Sequence, residues 1–138
     1  MNTAYPYRLE QQEGGYVVQF VDFEEAFTEG ATDEEAAFNA AEVLSLVIEQ
    51  RLADGQSIPW PSPSEGRPVA SPQARVQVAL LLRKAREEQG RTLAEMARAL
   101  QTSWPSAQRL EQATANPTLK QLERAAAALG KRLSITLD

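Results

Sequence analysis

The first thirty residues contain short apolar segments separated by turn residues, a pattern typical of strands. Residues 16–23 (YVVQFVDF) are rich in β-branched and aromatic residues, which favour a half-buried strand. Residues 5–12 predict a shorter strand before it, and residues 13–15 (EGG) a turn, because glycine adopts positive φ at little cost. Residues 26–28 predict a third strand before Gly30. The pattern therefore predicts a small antiparallel meander.

After residue 31 the apolar spacing changes to that of a helix. Thr32 and Glu35 have the spacing of a capping box, and Gly55 supplies a stop after a helix that extends to about residue 53. The apolar residues predicted to form its buried stripe are Ala37, Ala41, Leu44, Ile48 and Leu52. A meander with one long helix on one face is a two-layer α+β fold.

The second half has the pattern of four helices followed by a strand. The predicted start signals are Ser71-Pro72, Thr92 with Glu95, Ser103, and Thr118 with Gln121, and the predicted stops are Gly90 and Gly130. Residues 133–137 (LSITL) alternate and predict a terminal strand with an exposed edge.

A proline-rich segment separates the halves, with prolines at 59, 61, 63, 68 and 72. Because proline fixes φ and lacks an N–H, this density predicts a semi-rigid linker, which we place at residues 61–71. The predicted domains are therefore 1–60 and 72–138, with residues 58–60 packing on the first as an edge strand.

The net charge of the chain also changes sign within the proline-rich segment. Residues 1–66 contain two basic and thirteen acidic residues, a formal charge of −11, and residues 67–138 contain twelve basic and six acidic ones, +6. Such asymmetry suggests a different partner for each half, against the alternative of two solvated faces with no partner.

Composition limits the chemistry. The chain has no cysteine and no histidine, which removes thiolate catalysis, the commonest general base and the commonest ligands of transition metals. We therefore expect no enzyme, no bound metal and no cofactor. The sequence shows no secretory signal and no apolar run of about 20 residues, so we expect a cytoplasmic protein.

Residues 92–112 (TLAEMARALQTSWPSAQRLEQ) have the lengths of a helix-turn-helix. The side chains predicted to face the core are Leu93, Met96, Ala97, Leu100, Ala107 and Leu110, with Leu119, Leu122, Ala126 and Leu129 from the last helix. Any small helical bundle would show this periodicity, but the basic charge of this half favours DNA binding.

The segment resembles the Xre/Cro-like repressors in Ala94-Glu95-Met96-Ala97, Arg109-Leu110-Glu111 and the ending Ala-Leu-Gly. Family members often carry glutamine where this chain has Leu93 and glycine where it has Gln101. The resemblance implies a set of DNA-reading residues: Thr102, Ser103, Trp104, Ser106, Gln108 and Arg109. Arg109 would contact a guanine or a phosphate, and Trp104 would either contact DNA or pack against the turn. Further phosphate contacts are candidates at Lys84, Arg86, Arg91 and Arg98.

Over nearly its full length the chain resembles HicB-type antitoxins, most specifically in EGGYVVQFVDFEEAFTEGAT and in the order G-x-T-x-x-E-A. The resemblance implies a first domain like a pared-down ribonuclease H fold without its catalytic set. It also implies two binding partners, a HicA-type toxin that cleaves mRNA and the operator DNA of the shared operon.

An acidic domain would be steered onto the basic surface of such a toxin. The predicted toxin-binding residues are Asp22, Glu24, Glu25 and Glu29, and the predicted dimerisation residues are Leu133, Ile135 and Leu137. Two alternatives stay open, a stand-alone transcription regulator with a ligand-sensing first domain and a nuclease that holds a divalent metal on Asp22 with Glu24 or Glu25.

Overall fold

The computed structural model describes residues 1–138, which form two compact units, Met1–Gln77 and Val78–Asp138. The first unit contains β1 (Tyr5–Gln12), β2 (Gly15–Phe20), β3 (Phe27–Gly30), α1 (Asp33–Asp54) and β4 (Val69–Ala70). Helix α2 (Ala74–Glu88) spans the division, and the second unit adds α3 (Leu93–Ala99), α4 (Trp104–Arg109) and α5 (Leu119–Ala128). None of these helices combines the length and the apolar character that crossing a membrane requires.

The first unit is a two-layer structure, as predicted. Its sheet has the order β3-β2-β1-β4, with every neighbouring pair antiparallel. Tyr7 lies opposite Phe20, and their rings are 5.4 Å apart between centroids. These two rings and Val18 are buried together with Leu44 and Ile48 of α1, so the helix covers one face of the sheet.

The second strand is shorter than predicted, because β2 ends at Phe20 and residues 21–26 form a turn. The Phe20 N–H donates to the Ala26 carbonyl over 3.0 Å, and the Gln19 side chain donates within this turn. Phe23 is fully buried against the Tyr5 ring at 5.0 Å. The apolar residues after position 20 are therefore buried in a turn that packs on the core.

The buried stripe of α1 is shifted by one residue at its start. Ala36 and Ala40 are buried, whereas the predicted Ala37 is exposed. The reason is a close approach of the main chains, since a Cβ on Gly30 would lie only 2.5 Å from the nitrogen of Ala36. The backbone of β3 thus sets which face of the first helical turn is covered.

Most of the proline-rich segment belongs to the first unit. Residues 58–60 form no strand, but Ile58 is buried and the Tyr5 hydroxyl donates to the Pro59 carbonyl over 2.7 Å. The two-residue strand β4 pairs with β1 inside the predicted linker 61–71. The division between the units instead falls between residues 77 and 78, within α2. That helix begins at Ala74, slightly later than predicted.

The second unit has the four predicted helices around a small core of Ala85, Met96 and Leu129. Leu119, which we expected in this core, is 60% exposed in the first turn of α5. Residues 131–138 have no regular secondary structure, so the predicted terminal strand is not formed. The physical reason is that this unit contains no other strand to satisfy its backbone hydrogen bonds.

Candidate functional site

The helix-turn-helix is built by α3 and α4 with a turn at residues 100–103. Ala97 and Ala107 are both buried, in agreement with the need for small side chains near the crossing of the two helices. Gln101 adopts φ 54°, in the left-handed region. This explains why glycine is common at that position, because a residue with a Cβ is strained there by about 1–2 kcal/mol.

Side-chain hydrogen bonds of the N-cap residues fix where α3 and α4 begin. The Thr92 side chain accepts the Glu95 N–H over 3.1 Å while Glu95 reaches back to the Thr92 N–H, as predicted. These hydrogen bonds hold the pKa of Glu95 below its ordinary value. Ser103 caps α4 by accepting the Ser106 N–H over 3.3 Å. Pro105 lies in the first turn of α4, where the helix does not need its N–H.

The predicted DNA-reading residues lie together on and just before α4, with different exposures. The exposed ones are Thr102, Ser103, Trp104 and Arg109, and the half-buried ones are Ser106 and Gln108. Trp104 is 47% exposed, so its indole presents a large apolar surface to solvent. Arg109 donates from Nη2 to the Ser106 hydroxyl over 3.0 Å. Its other N–H groups are available for a bidentate contact to a guanine or a phosphate.

Two of the predicted phosphate contacts have a structural role instead. Arg86 forms a bidentate pair with Glu111, with Nε and Nη2 at 2.7 and 3.0 Å from the carboxylate oxygens, and donates from Nη1 to the Arg91 carbonyl. The side chains of Arg86 and Glu111 are only 15% and 9% exposed. Arg91 donates to the Ala128 carbonyl. The sequence does not distinguish Arg86 and Arg91 from arginines that face solvent, because Glu111 and Ala128, with which they form hydrogen bonds, are distant from them in the chain.

The structure adds cationic side chains of α5 to this surface. Arg124 is exposed, donates to the Leu100 carbonyl over 3.3 Å, and lines a depression that Thr102 and Ser106 also line. Lys120 is exposed in the first turn of α5, and Arg98, a candidate phosphate contact, is exposed on α3. The cations at this surface therefore come from both α4 (Arg109) and α5 (Arg124), a combination that no local motif predicts.

The second candidate site is the acidic turn after β2, and two of its carboxylates are engaged within the chain. Asp22 accepts hydrogen bonds from the Ser62 N–H, over 2.9 Å, and from the Ser62 hydroxyl. This pair holds the proline-rich segment against the turn. Asp22 is therefore a structural residue as well as a predicted toxin contact.

Glu25 forms a bidentate pair with Arg51 of α1, with both N–O distances at 2.8 Å. The same guanidinium donates to the Ser57 carbonyl over 3.0 Å and lies 4.9 Å from the centre of the Phe23 ring. The hydrogen bond from Arg51 holds the pKa of Glu25 below its ordinary value. The pair ties the turn to the helix and to the segment that follows it.

Glu24 and Glu29 differ from these two, because neither side chain makes an ion pair or a hydrogen bond that holds the turn, although Glu25 is exposed as they are. Glu29 lies in the middle of β3, opposite Val17. The four predicted toxin-binding residues thus separate into two that shape the turn and two that face solvent. The structure contains no group of three or more Asp or Glu side chains that could hold a metal ion.

Comparison with known proteins follows the same division of the chain. A family model described as the HicB-like antitoxin of bacterial toxin–antitoxin systems matches residues 4–78, and one described as helix-turn-helix matches residues 82–135. The chain is 31% identical to Antitoxin HicB 2 of Photorhabdus laumondii over 134 residues, which cover 97% of this chain and 96% of that protein. It is 33% identical to Antitoxin HicB of Escherichia coli K12 over 127 residues, or 91% of each chain.

These relatives are named antitoxins, in agreement with the expectation that the protein is not an enzyme. The antitoxin match and the helix-turn-helix match together span most of the chain. The chain therefore belongs to the HicB family of antitoxins and has a helix-turn-helix as its second domain.

Proposed function

We propose that this protein neutralises a HicA-type ribonuclease toxin with its first unit and represses the shared operon with its second. The observation that carries the proposal is the division of charge between the units. Residues 1–77 contain four basic and thirteen acidic residues, a formal charge of −9, whereas residues 78–138 contain ten basic and six acidic ones, +4. The first unit attracts a basic protein and the second attracts DNA.

The toxin must present a basic surface to bind RNA, so an acidic protein that covers this surface prevents cleavage. Glu24 and Glu29 face solvent and are proposed to take the places of phosphates. Asp22 and Glu25 are proposed to act mainly by holding the turn that presents Glu24. The resemblance of this unit to a pared-down ribonuclease H fold is part of the same proposal.

Co-expression tests the antitoxin activity. The small gene next to this one is expressed from an inducible promoter, with and without this protein, and growth is followed. We expect arrest by the neighbour alone and recovery when both are made. Arrest that persists although both proteins are present would refute the proposal.

The DNA-binding role is tested at Arg109, because its guanidinium is exposed on α4 beside Ser106 and Trp104. We expect Arg109→Ala to weaken binding to the promoter by about 5- to 150-fold, since a bidentate contact to guanine contributes about 1–3 kcal/mol. Gel shift measures this, with Arg67→Ala in the first unit as the matched control. Toxin neutralisation should be unchanged. Promoter binding by Arg109→Ala as tight as that of the unchanged chain would exclude this role.

The protein is proposed to bind DNA as a dimer, since helix-turn-helix proteins usually read two half-sites about 34 Å apart. Residues 131–138 form no strand in the single chain, and Ile135 and Leu137 are 65% and 98% exposed. With Leu133, these residues are proposed to form a strand by pairing with the same segment of a second copy. Deletion of residues 133–138 should then give monomers in light scattering, and a dimeric truncated protein would contradict the pairing. A repressor of this kind acts in the cytoplasm, where we place the protein.

A further inference from the structure

We infer that the outward face of α1 is the surface that docks the basic partner of the first unit, with Phe38 and Leu46 as its apolar anchors. The inference rests on the proposed function and specifies where in the acidic unit the toxin binds. It replaces Glu24 and Glu29 as the centre of the interface. Two carboxylates of the turn at residues 21–26 form hydrogen bonds within the chain, and Glu29, two residues after Phe27 on β3, lies on the opposite, uncovered face of the sheet.

The two anchors lie on the side of α1 that the sheet does not cover. Phe38 is 68% exposed and Leu46 is 62% exposed, whereas Ala36, Ala40 and Leu44 on the other side are fully buried. Residues eight apart are about 12 Å apart along a helix axis and differ by roughly 80° around it. Both side chains therefore project from one broad, solvent-facing surface.

Carboxylates surround this apolar pair. Glu42 lies between the anchors and accepts a hydrogen bond from the Gln73 amide over 2.7 Å, and Glu35 lies one turn before Phe38. Protein interfaces commonly combine an apolar centre that includes aromatic residues with a polar rim. This face of α1 has that arrangement, with Glu35, Glu42 and Glu49 beside the anchors. The one cation there, Arg75, is paired with Glu49 over 2.9 Å.

The negative charge of α1 favours a partner with a basic surface. Residues 33–54 contain six acidic residues and one basic residue, Arg51, which is paired with Glu25. A second copy of this chain would place a helix of formal charge −5 against another of −5, which like-charge repulsion opposes. A partner with a basic surface and an apolar pocket or groove fits the same face. Of the partners considered, the proposed toxin has this character, because it must bind RNA.

The test measures binding of the purified protein encoded by the adjacent small gene, in an inactivated form, to the full chain by calorimetry. Alanine is a better helix former than either anchor, so Phe38→Ala and Leu46→Ala should leave α1 intact. We expect each variant to raise Kd about 5- to 10-fold and the double variant at least about 30-fold. The matched control is Phe27→Ala on the uncovered face of the sheet, where the side chain is 63% exposed. That variant should change Kd by less than about twofold.

A second measurement examines the rim. Glu35→Gln keeps a residue suited to the third position of the helix and removes one charge. This substitution should lower the association rate constant and make that constant less dependent on salt, while the dissociation rate constant changes little. Circular dichroism and thermal unfolding of each variant establish that the chain is folded.

The outcomes separate the two levels of the hypothesis. If the unchanged chain does not bind the adjacent protein, the proposed function fails and the docking surface fails with it. If the unchanged chain binds and the Phe38/Leu46 double variant binds equally well, only the docking surface is refuted. A loss confined to Phe27→Ala would place the interface on the open face of the sheet and would also overturn the inference.

Discussion

A single methyl group at residue 30 should destabilise the first unit strongly. Gly30 is the last residue of β3 and its φ angle is not positive, so alanine can adopt the same backbone conformation. The obstacle is steric, because a Cβ would lie 2.5 Å from the nitrogen and 2.8 Å from the Cα of Ala36, and 2.9 Å from the carbonyl carbon of Glu35. All three are main-chain atoms of the first turn of α1, which cannot rotate away as a side chain can.

The size of the effect follows from the movement that the methyl group requires. Cβ contacts below 3.0 Å essentially never occur, so α1 must shift by at least the difference between 2.5 and 3.0 Å. Such a shift disturbs Leu44 and Ile48, which are fully buried against the sheet. Overpacking of this kind costs about 1–3 kcal/mol and occasionally more. We expect Gly30→Ala to lower the free energy of unfolding by roughly 3 kcal/mol, a large part of the total of about 5–15 kcal/mol.

Urea unfolding measures this loss, with Trp60 fluorescence reporting on the first unit in a Trp104→Phe background. Gly55→Ala is the control, because Gly55 has φ 68° and open space around it, so alanine there meets only the left-handed backbone penalty of about 1–2 kcal/mol. Adding Ala36→Gly to Gly30→Ala should not restore stability, since the overlap is with backbone. A Gly30→Ala variant no less stable than Gly55→Ala, or one rescued by Ala36→Gly, would refute the reasoning.

Two further predictions concern ion pairs. Arg86→Met should lower the free energy of unfolding of the second unit by roughly 3 kcal/mol, because it leaves the buried Glu111 unpaired. Adding Glu111→Leu should recover most of this loss in urea unfolding followed by Trp104 fluorescence. A double variant as unstable as Arg86→Met would contradict the structural role of the Arg86–Glu111 pair. Glu25 has a lowered pKa because Arg51 donates hydrogen bonds to it. Its contribution is therefore present above the pKa of the unfolded chain and is lost as pH falls through the folded pKa. Since Glu25 is 47% exposed, the loss should be below about 1 kcal/mol, and Glu25→Gln should remove that part of the acid-side slope in urea midpoints.

The order of G-x-T-x-x-E-A, which carried the antitoxin resemblance, acquires a physical meaning in the structure. Gly30 allows the close approach of β3 to α1, and the Thr32 side chain accepts the Glu35 N–H over 3.1 Å to start the helix. Ala36 is the buried residue against which the glycine packs. The pattern thus describes how the third strand joins the helix, and we expect substitutions in it to affect folding before they affect partner binding.

The sequence by itself determined the features that depend on neighbours in the chain. The caps at Thr92 and Thr118, the left-handed stop at Gly55 and the hairpin between β1 and β2 all involve residues only a few positions apart. The division of charge was also readable, because it is a property of composition. These local and compositional signals were sufficient for the two-layer fold and for the helix-turn-helix.

Only the tertiary structure decided which polar groups are free to bind a partner. Asp22 and Ser62, and Arg86 and Glu111, are pairs separated by 40 and 25 positions, and no pattern in the sequence joins them. Residues 133–137 show the opposite case, because their alternation predicts a strand that a single chain does not form. A strand and an ion pair each require a partner in space, and periodicity describes only one of the two surfaces that must meet.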